Sequence, residues 1–277
     1  MANRGTALLL ASHPGPTLVV TAVATGLGFG VGLPPGRLAL LALAILLGQL
    51  SVGWSNDWLD AARDREVRRT DKPAARGDVP EAVVRTAAFV ALAAALLLTL
   101  PLGFGAFVAH AIAIGGGWAY NLGLKSTVWS WVPFAVSFGI LPAIVTAALP
   151  EPQLPAWWVF GAGALLGVAA HITNVLPDLE DDARTGISGF PHRLGPRPSG
   201  LLAFGALAGA TVLITFGPGL PVRPVLIVGL VIGLAAAATG CVLLLRRSPT
   251  RLLMQLIMAC AVVDVAMLVV AGQSVTV

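Results

Sequence analysis

The sequence predicts an all-α, polytopic membrane protein. Three observations carry that expectation. Of the 277 residues, 57% are hydrophobic and 11% charged, with a mean hydropathy of +0.87, too apolar a balance for a water-soluble domain. The apolar residues fall in runs of about twenty, the length that crosses a bilayer as a helix. Turn-forming or charged stretches punctuate the runs, and little chain is left over for a soluble module. We expect a single membrane-embedded domain over 1–277, with motif-bearing halves of about 1–125 and 126–277.

Taken in order, the expected spans are about 16–33, 38–58, 82–101, 104–121, 129–149, 156–177, 199–217, 223–245 and 251–271. Pro34-Pro35-Gly36, Pro101 to Gly105, Pro150 to Pro155 and Gly217 to Pro224 break the runs on one side. On the other side the connections are longer and charged. Arg4 precedes a short apolar run that His13-Pro14-Gly15-Pro16 interrupts, so this stretch reads as the lead-in to the first span and not as a signal peptide.

With nine spans the loops alternate between two faces. Of the 17 Lys and Arg, only Arg37 and Arg223 fall on one of them. That bias places the N-terminus and the charged loops in the cytoplasm and the C-terminus outside, in the cell (plasma) membrane. Trp157 and Trp158 then sit at the outer interface. The net charge of +4 does not point to nucleic acid, because the cations lie in loops with no interleaved aromatics. Cys241 and Cys260 lie in apolar segments and read as packing residues.

Two charged stretches interrupt the hydrocarbon, and they share a pattern. Asn56-xxx-Asp60-xxx-Asp64 and Asn174-xxx-Asp178-xxx-Asp182 both read N-x-x-x-D-x-x-x-D. On a helix, positions i, i+4 and i+8 lie along one face, each step rising about 6 Å. Each copy presents an amide oxygen and two carboxylates as a row of hard oxygen ligands. Two facing rows describe a cage for Mg²⁺ ions carrying a diphosphate. The plainer reading, two charged helix ends meeting water, explains one copy better than it explains a matched pair.

Basic residues trail each copy. Arg68, Arg69, Lys72 and Arg76 follow the first, and Arg184 and Arg193 the second. Arg68, Lys72, Lys125 and Arg193 suit the remaining charge of a metal-bound diphosphate. Arg246, Arg247 and Arg251 read as topology signals. A diphosphate with a hydrocarbon tail needs a polar head site and an apolar tunnel, and Ala-, Leu- and Gly-rich helices supply the second.

At these residues the sequence resembles the UbiA superfamily of intramembrane prenyltransferases. The likeness rests on Asn56, Asp60 and Asp64 with Arg69-Thr70 and Lys72-Pro73 downstream. It rests also on Asp178 and Asp182 with Gly186 and Arg193-Leu194-Gly195, on Tyr120-Asn121-Leu122-Gly123-Leu124-Lys125-Ser126-Thr127, and on His13-Pro14. The resemblance implies a nine-helix bundle with cytoplasmic cap loops and two Mg²⁺ ions. Asn56, Asp60 and Asp64 would hold one ion, and Asp178 and Asp182, in the row that Asn174 opens, the other. Arg68, Lys72, Lys125 and Arg193 would contact the diphosphate, and Tyr120 would lie near the reaction centre. Gln49 and Trp54 are expected to border an acceptor pocket. Where the branch acting on 4-hydroxybenzoate commonly has Arg, this chain has Gln49, which suits a phenol, quinol or carbonyl better than a carboxylate.

Other polar residues carry two readings each. Asp264, in the last apolar run, is either functional or a protonated acid bonded to a neighbouring helix. His171 is a packing histidine or a neighbour of the second motif. Trp54 and Trp58 face a carbocation or pack against helices. Asp57, Glu180 and Asp181 fall off the main rows, and His110 reads as structural. The expected activity is joining a polyprenyl diphosphate to a small aromatic or quinol-type acceptor, with release of diphosphate. A terpene cyclase needing no acceptor uses the same motifs. A transporter is the alternative from another class, disfavoured because the acids cluster at helix ends and not at mid-bilayer.

Overall fold

The structure is a computed structural model and describes residues 3–67, 69, 72–179, 182, 186–246 and 251–276. The described secondary structure is helical apart from one isolated bridge between Pro155 and Thr276. The chain opens with α1 (Arg4–Ala11) and α2 (Pro14–Gly30), bent by 61° at their junction. α3 (Pro35–Glu66) follows, then the one-turn α4 (Pro73–Arg76), α5 (Glu81–Thr99), α6 (Phe104–Leu122) and α7 (Val132–Ala147). The second half holds α8 (Trp157–Val175), the short α9 (Phe190–Leu194), α10 (Pro196–Phe216), α11 (Pro224–Arg246) and α12 (Arg251–Ala271).

Proline sets many of these starts. Pro14, Pro35, Pro73, Pro196 and Pro224 stand at the first helical position, where the missing N–H has no partner to lose. Each of the nine apolar runs is helical. By length and apolarity five helices qualify as membrane spans among the described residues, or six when the bent α1–α2 pair counts as one.

The helices close a ring. α2 packs on α3, α3 on α6, α6 on α7, α7 on α8, α8 on α10, α10 on α12, and α12 returns to α2. α5 lies outside against α3 and α6, and α11 lies outside against α10 and α12. The main core is built from Leu27, Leu41, Ile45, Ile144, Val159, Ile172, Phe204, Leu207 and Ile214 among others. A satellite cluster of Ala7, Ala61, Ala74, Val79 and Val84, with Leu8, Trp54 and Trp58 against it, seats α1 and α4 on the far end of α3.

At the opposite end two arginines cap helices. Arg37 Nε donates to the Ala148 carbonyl at 2.7 Å, and its Nη2 donates to the Leu102 carbonyl at 2.7 Å. Arg223 Nη1 donates to the Val270 carbonyl at 2.5 Å. These are the two cations that the loop alternation set apart, and both satisfy backbone acceptors at chain turns or helix ends.

α7 and α8 approach backbone to backbone. Gly163 and Gly167, one turn apart on α8, face the carbonyls of Phe138 and Phe134 so closely that a Cβ at either position would collide with α7. Small residues at this spacing let apolar helices pack tightly where hydrocarbon surrounds them. We expect Gly167→Ala to destabilise the detergent-solubilised protein by about 1–3 kcal/mol, the usual penalty of overpacking. Gly205→Ala, where nothing lies within 4 Å of the added carbon, should leave the melting temperature unchanged. Equal melting temperatures for the two variants would show that α7 and α8 tolerate separation.

Candidate active site

α3 runs eight residues past the apolar segment expected at 38–58 and carries the whole first row, Asn56, Asp60 and Asp64, on unbroken helix. Arg63 and Arg65 lie in its last turn, where cations suit the helix dipole. The second row is not one continuous α-helical face, as the spacing had suggested. α8 ends at Val175, and Leu176–Asp178 form a tight 3-10 turn. Pro177 lacks an N–H and cannot extend the α-helical ladder. Asn174, Asp178 and Asp182 nevertheless line the same cavity as Asn56, Asp60 and Asp64. That cavity, of about 270 Å³, also touches His13, Arg63, Arg69, Lys72, Tyr120 and Lys125.

Every acid of the first motif meets a cation of the chain. Lys125 Nζ forms a buried ion pair with Asp60 Oδ1. Arg63 Nη2 lies 3.1 Å from Asp60 Oδ2 and 3.7 Å from Asp64 Oδ1. Asp57, which sits off the row, is buried and not solvated. Its Oδ2 accepts the Ala74 N–H at 3.0 Å, and its Oδ1 lies 3.9 Å from Lys72 Nζ. Lys72 donates to Asn56 Oδ1 at 3.0 Å and to His13 Nε2 at 2.9 Å. Arg69 Nη1 reaches Asp178 Oδ2 at 3.3 Å, joining the loop after the first motif to the second. His192 Nε2 lies 3.4 Å from Asp182 Oδ2.

Lys125 owes its position to a glycine. Gly123 takes φ 149°, open to glycine and to few other residues, and the chain turns there through Leu124–Ser126. Burial pulls the Lys125 ammonium below the ordinary lysine pKa, and the Asp60 carboxylate opposes that shift. Burial raises the Asp182 carboxyl above its ordinary value, with His192 opposing.

Below the polar rim lies an aromatic group. The Tyr120 ring meets Phe134 edge-on at 5.1 Å and His171 at 5.7 Å. His171 Nε2 pairs with Ser130 Oγ at 3.1 Å, and Ser130 Oγ accepts the Phe190 N–H at 2.9 Å. His171 is therefore buried beside the site, three residues before Asn174, and ties α8 to the turn after Lys125.

Several expected residues stand elsewhere. Gln49 is about two helical turns before Asn56 and is not among the residues lining the cavity. The Trp54 indole donates to the Leu8 carbonyl at 2.8 Å and packs in the satellite cluster. Trp58 meets Phe89 at a tilt of 58°, 6.0 Å between ring centroids, and lies under Arg85. Arg193 is exposed, its Nε donating to the Ser188 carbonyl at 3.2 Å. Arg68, Glu180, Asp181 and Arg184 lie outside the described residues. His110 is buried against Thr99, and Asp264 Oδ1 accepts the Thr211 hydroxyl at 2.6 Å, far along α12. The sequence reading passed over Arg63, Asn121, Ser130 and His192. Arg63 carried a signal, since it stands on the helix between two motif acids. The other three are neutral or distant in sequence, and only the fold brings them in.

Among the described residues no three His, Cys, Asp or Glu side chains converge as a ready-made ion site. The donor chemistry still fits a hard cation. Six oxygen-bearing side chains, three on α3 and three on the end of α8 and the stretch after it, share one cavity, and Asp64 Oδ2 is buried with no hydrogen-bond partner. A buried carboxylate oxygen left unpaired is costly unless a cation meets it.

The UbiA prenyltransferase family matches residues 16–262. A 4-hydroxybenzoate octaprenyltransferase of Haemophilus ducreyi is 30% identical over 66% of this chain and 64% of its own length. The enzyme of the same name from Klebsiella pneumoniae is 29% identical over 56% of this chain and 55% of its own length. The chain thus spans less than two thirds of these relatives. Among solved structures, a UbiA homologue from Archaeoglobus fulgidus bound to GPP and Mg²⁺ superposes with a TM-score of 0.73 at 17% identity, covering 96% of this chain and 99% of that one. The apo UbiA homologue from Aeropyrum pernix K1 gives 0.70 at 14% identity, over 98% and 99%. Its fold, its multi-pass apolar helices and a family match across most of its length together show that this chain belongs to the UbiA prenyltransferase family.

Proposed function

We propose that this protein is a Mg²⁺-dependent intramembrane prenyltransferase, joining a polyprenyl diphosphate to a small aromatic or quinol-type acceptor. The observation that carries this reading is the single cavity in which both acidic rows meet Lys72, Lys125 and Arg69. The family supports it, as do the octaprenyltransferase relatives and the homologue that binds GPP and Mg²⁺. Asn56, Asp60 and Asp64 would hold one ion, and Asn174, Asp178 and Asp182 the other. When bound there, Mg²⁺ would supply the charge neutralisation that makes a diphosphate a good leaving group. Lys72, Lys125 and Arg69 leave their carboxylates to meet the phosphate oxygens. Arg68 and Arg193 are candidates for the same task from their place in the sequence after the two motifs. Tyr120, Phe134 and His171 shield the allylic carbon from water as its bond to oxygen breaks.

The whole chain acts as one domain of nine crossing helices, with the cavity mouth and N-terminus cytoplasmic and the C-terminus outside, in the plasma membrane. Gln49, about two helical turns before Asn56 on α3, is the candidate for the acceptor side, whereas Trp54 is held in the satellite cluster by its bond to the Leu8 carbonyl. The aromatic acceptor in the relatives' name favours transfer over cyclisation. Gln49, in the place of the Arg common where a benzoate is the acceptor, favours a phenol or quinol.

Three outcomes are expected. Asp60→Asn and Asp182→Asn should each lower turnover by at least about 100-fold, since even groups that merely support metal ligands commonly cost 10–100-fold, while circular dichroism and gel filtration stay those of the parent. Full activity in either variant would remove the cage. Lys125→Ala should raise the KM for the prenyl diphosphate by about tenfold or more, the scale of one charge-assisted hydrogen bond. An unchanged KM would leave Lys125 as a topology signal. Purified protein in nanodiscs with Mg²⁺ and prenyl diphosphates should release diphosphate only when a phenolic or quinol acceptor is added. Release without acceptor, with a hydrocarbon product, would make the protein a cyclase.

A further inference from the structure

We infer that Asn121 is a positioning residue that fixes which end of the Asn56 amide faces the cavity. The inference rests on the proposed role of Asn56 as a metal ligand and adds a residue to that site. An asparagine can serve a cation only through its oxygen, yet its amide nitrogen fits the same space when the group is turned over. Something must choose.

The hydrogen bonds here form a chain with an unambiguous group at each end. At one end is the Val52 carbonyl, which only accepts. Asn121 Nδ2 donates to it at 2.9 Å, and donates its second hydrogen to Ser55 Oγ at 2.8 Å. Both hydrogens are then used, so Asn121 Oδ1 is the end left for Asn56, whose Nδ2 donates to it at 3.2 Å. The other Asn56 hydrogen goes to Asp60 Oδ2 at 3.0 Å. Asn56 Oδ1 is therefore turned to the opposite side, where the Lys72 ammonium, which only donates, lies at 3.0 Å on the cavity wall. Reversing either amide would set donor against donor at Lys72, or acceptor against acceptor at Val52. The orientation follows from these two ends and not from the asparagines themselves.

Asn121 is well placed for this task. It is buried at the end of α6 and does not line the cavity. Its neighbour Tyr120 does line it, so one turn of α6 presents an aromatic ring to the site and an amide to the α3 backbone behind it.

The test is a divalent-binding cycle on the purified full chain in detergent, with Mn²⁺ alone as the probe and its affinity read by electron paramagnetic resonance. Asn121→Ala should weaken Mn²⁺ binding by about tenfold, as loss of a group that orients a ligand commonly does. In an Asn56→Asp background, where both ends of the side chain are oxygen and orientation no longer matters, adding Asn121→Ala should cause no further loss. Equal losses in the two backgrounds would mean that Asn121 acts through helix packing, and the inference fails. No loss in Asn121→Ala alone also overturns it. Asn56→Ala separates this failure from that of the underlying reading. If Asn56→Ala binds Mn²⁺ as the parent does, Asn56 is no ligand and both fall. If it binds weakly and Asn121→Ala binds normally, only the positioning role falls. Melting temperatures of the metal-free variants identify any that fail to fold.

Discussion

Carboxylates crowded at the edge of a hydrocarbon bundle repel one another and lose hydration, and the rest of the structure answers that constraint. Asp57, Asp60 and Asp64 are all buried. Unpaired, such charges would cost several kcal/mol each. The chain meets them with Lys125 from the turn after α6, Arg63 from the same helix, and Lys72 from the start of α4. Placing those cations requires the left-handed turn at Gly123, the docking of α4 on α3 and the continuation of α3 beyond its apolar part. The acids therefore organise the cap as well as the site. The pairs are also exchangeable: each cation that neutralises an acid in the free protein is of the right charge to receive a phosphate oxygen instead.

How much of this was legible in the sequence depended on periodicity. The nine apolar runs became helices because twenty consecutive apolar residues have few other stable outcomes. The first acidic row was legible for the same reason, since nothing between Asn56 and Asp64 breaks a helix. The second was only partly legible. Its spacing is the same, but Pro177 stands inside it and replaces the last α-helical turn with a tighter one. The cavity still gathers its side chains, because residues on a short turn after a helix end remain within reach of the same face.

Tertiary bonds were not legible. Trp54 stood at the right spacing beside the motif, yet its indole N–H found the Leu8 carbonyl in a cluster beneath α1. A tryptophan in a dry setting seeks an acceptor for that one hydrogen, and no local pattern tells which acceptor the fold will bring. Asn121 shows the converse. It lay in plain view inside a motif and drew no attention, because its role depends on the Val52 carbonyl on another helix. Arg69 likewise finds its partner only when the loop after the first motif meets Asp178 of the second, and His192 only when α9 folds back beside Asp182.

Arg37 stands at the end of α3 remote from the acids, and it is bonded to the ends of two other segments of the chain. α3 is thereby anchored at one end and carries the acidic row at the other. From Arg37 to Asp60 the helix rises roughly 35 Å, so a tilt of one degree about that anchor would move the carboxylate by roughly 0.6 Å. That displacement matches the tolerance of about 0.5 Å within which catalytic groups must be held. The helix that carries the acidic row on one side of the bundle is thus tied down on the other by a guanidinium, and α2, α5 and α6 packed along it hold the length between.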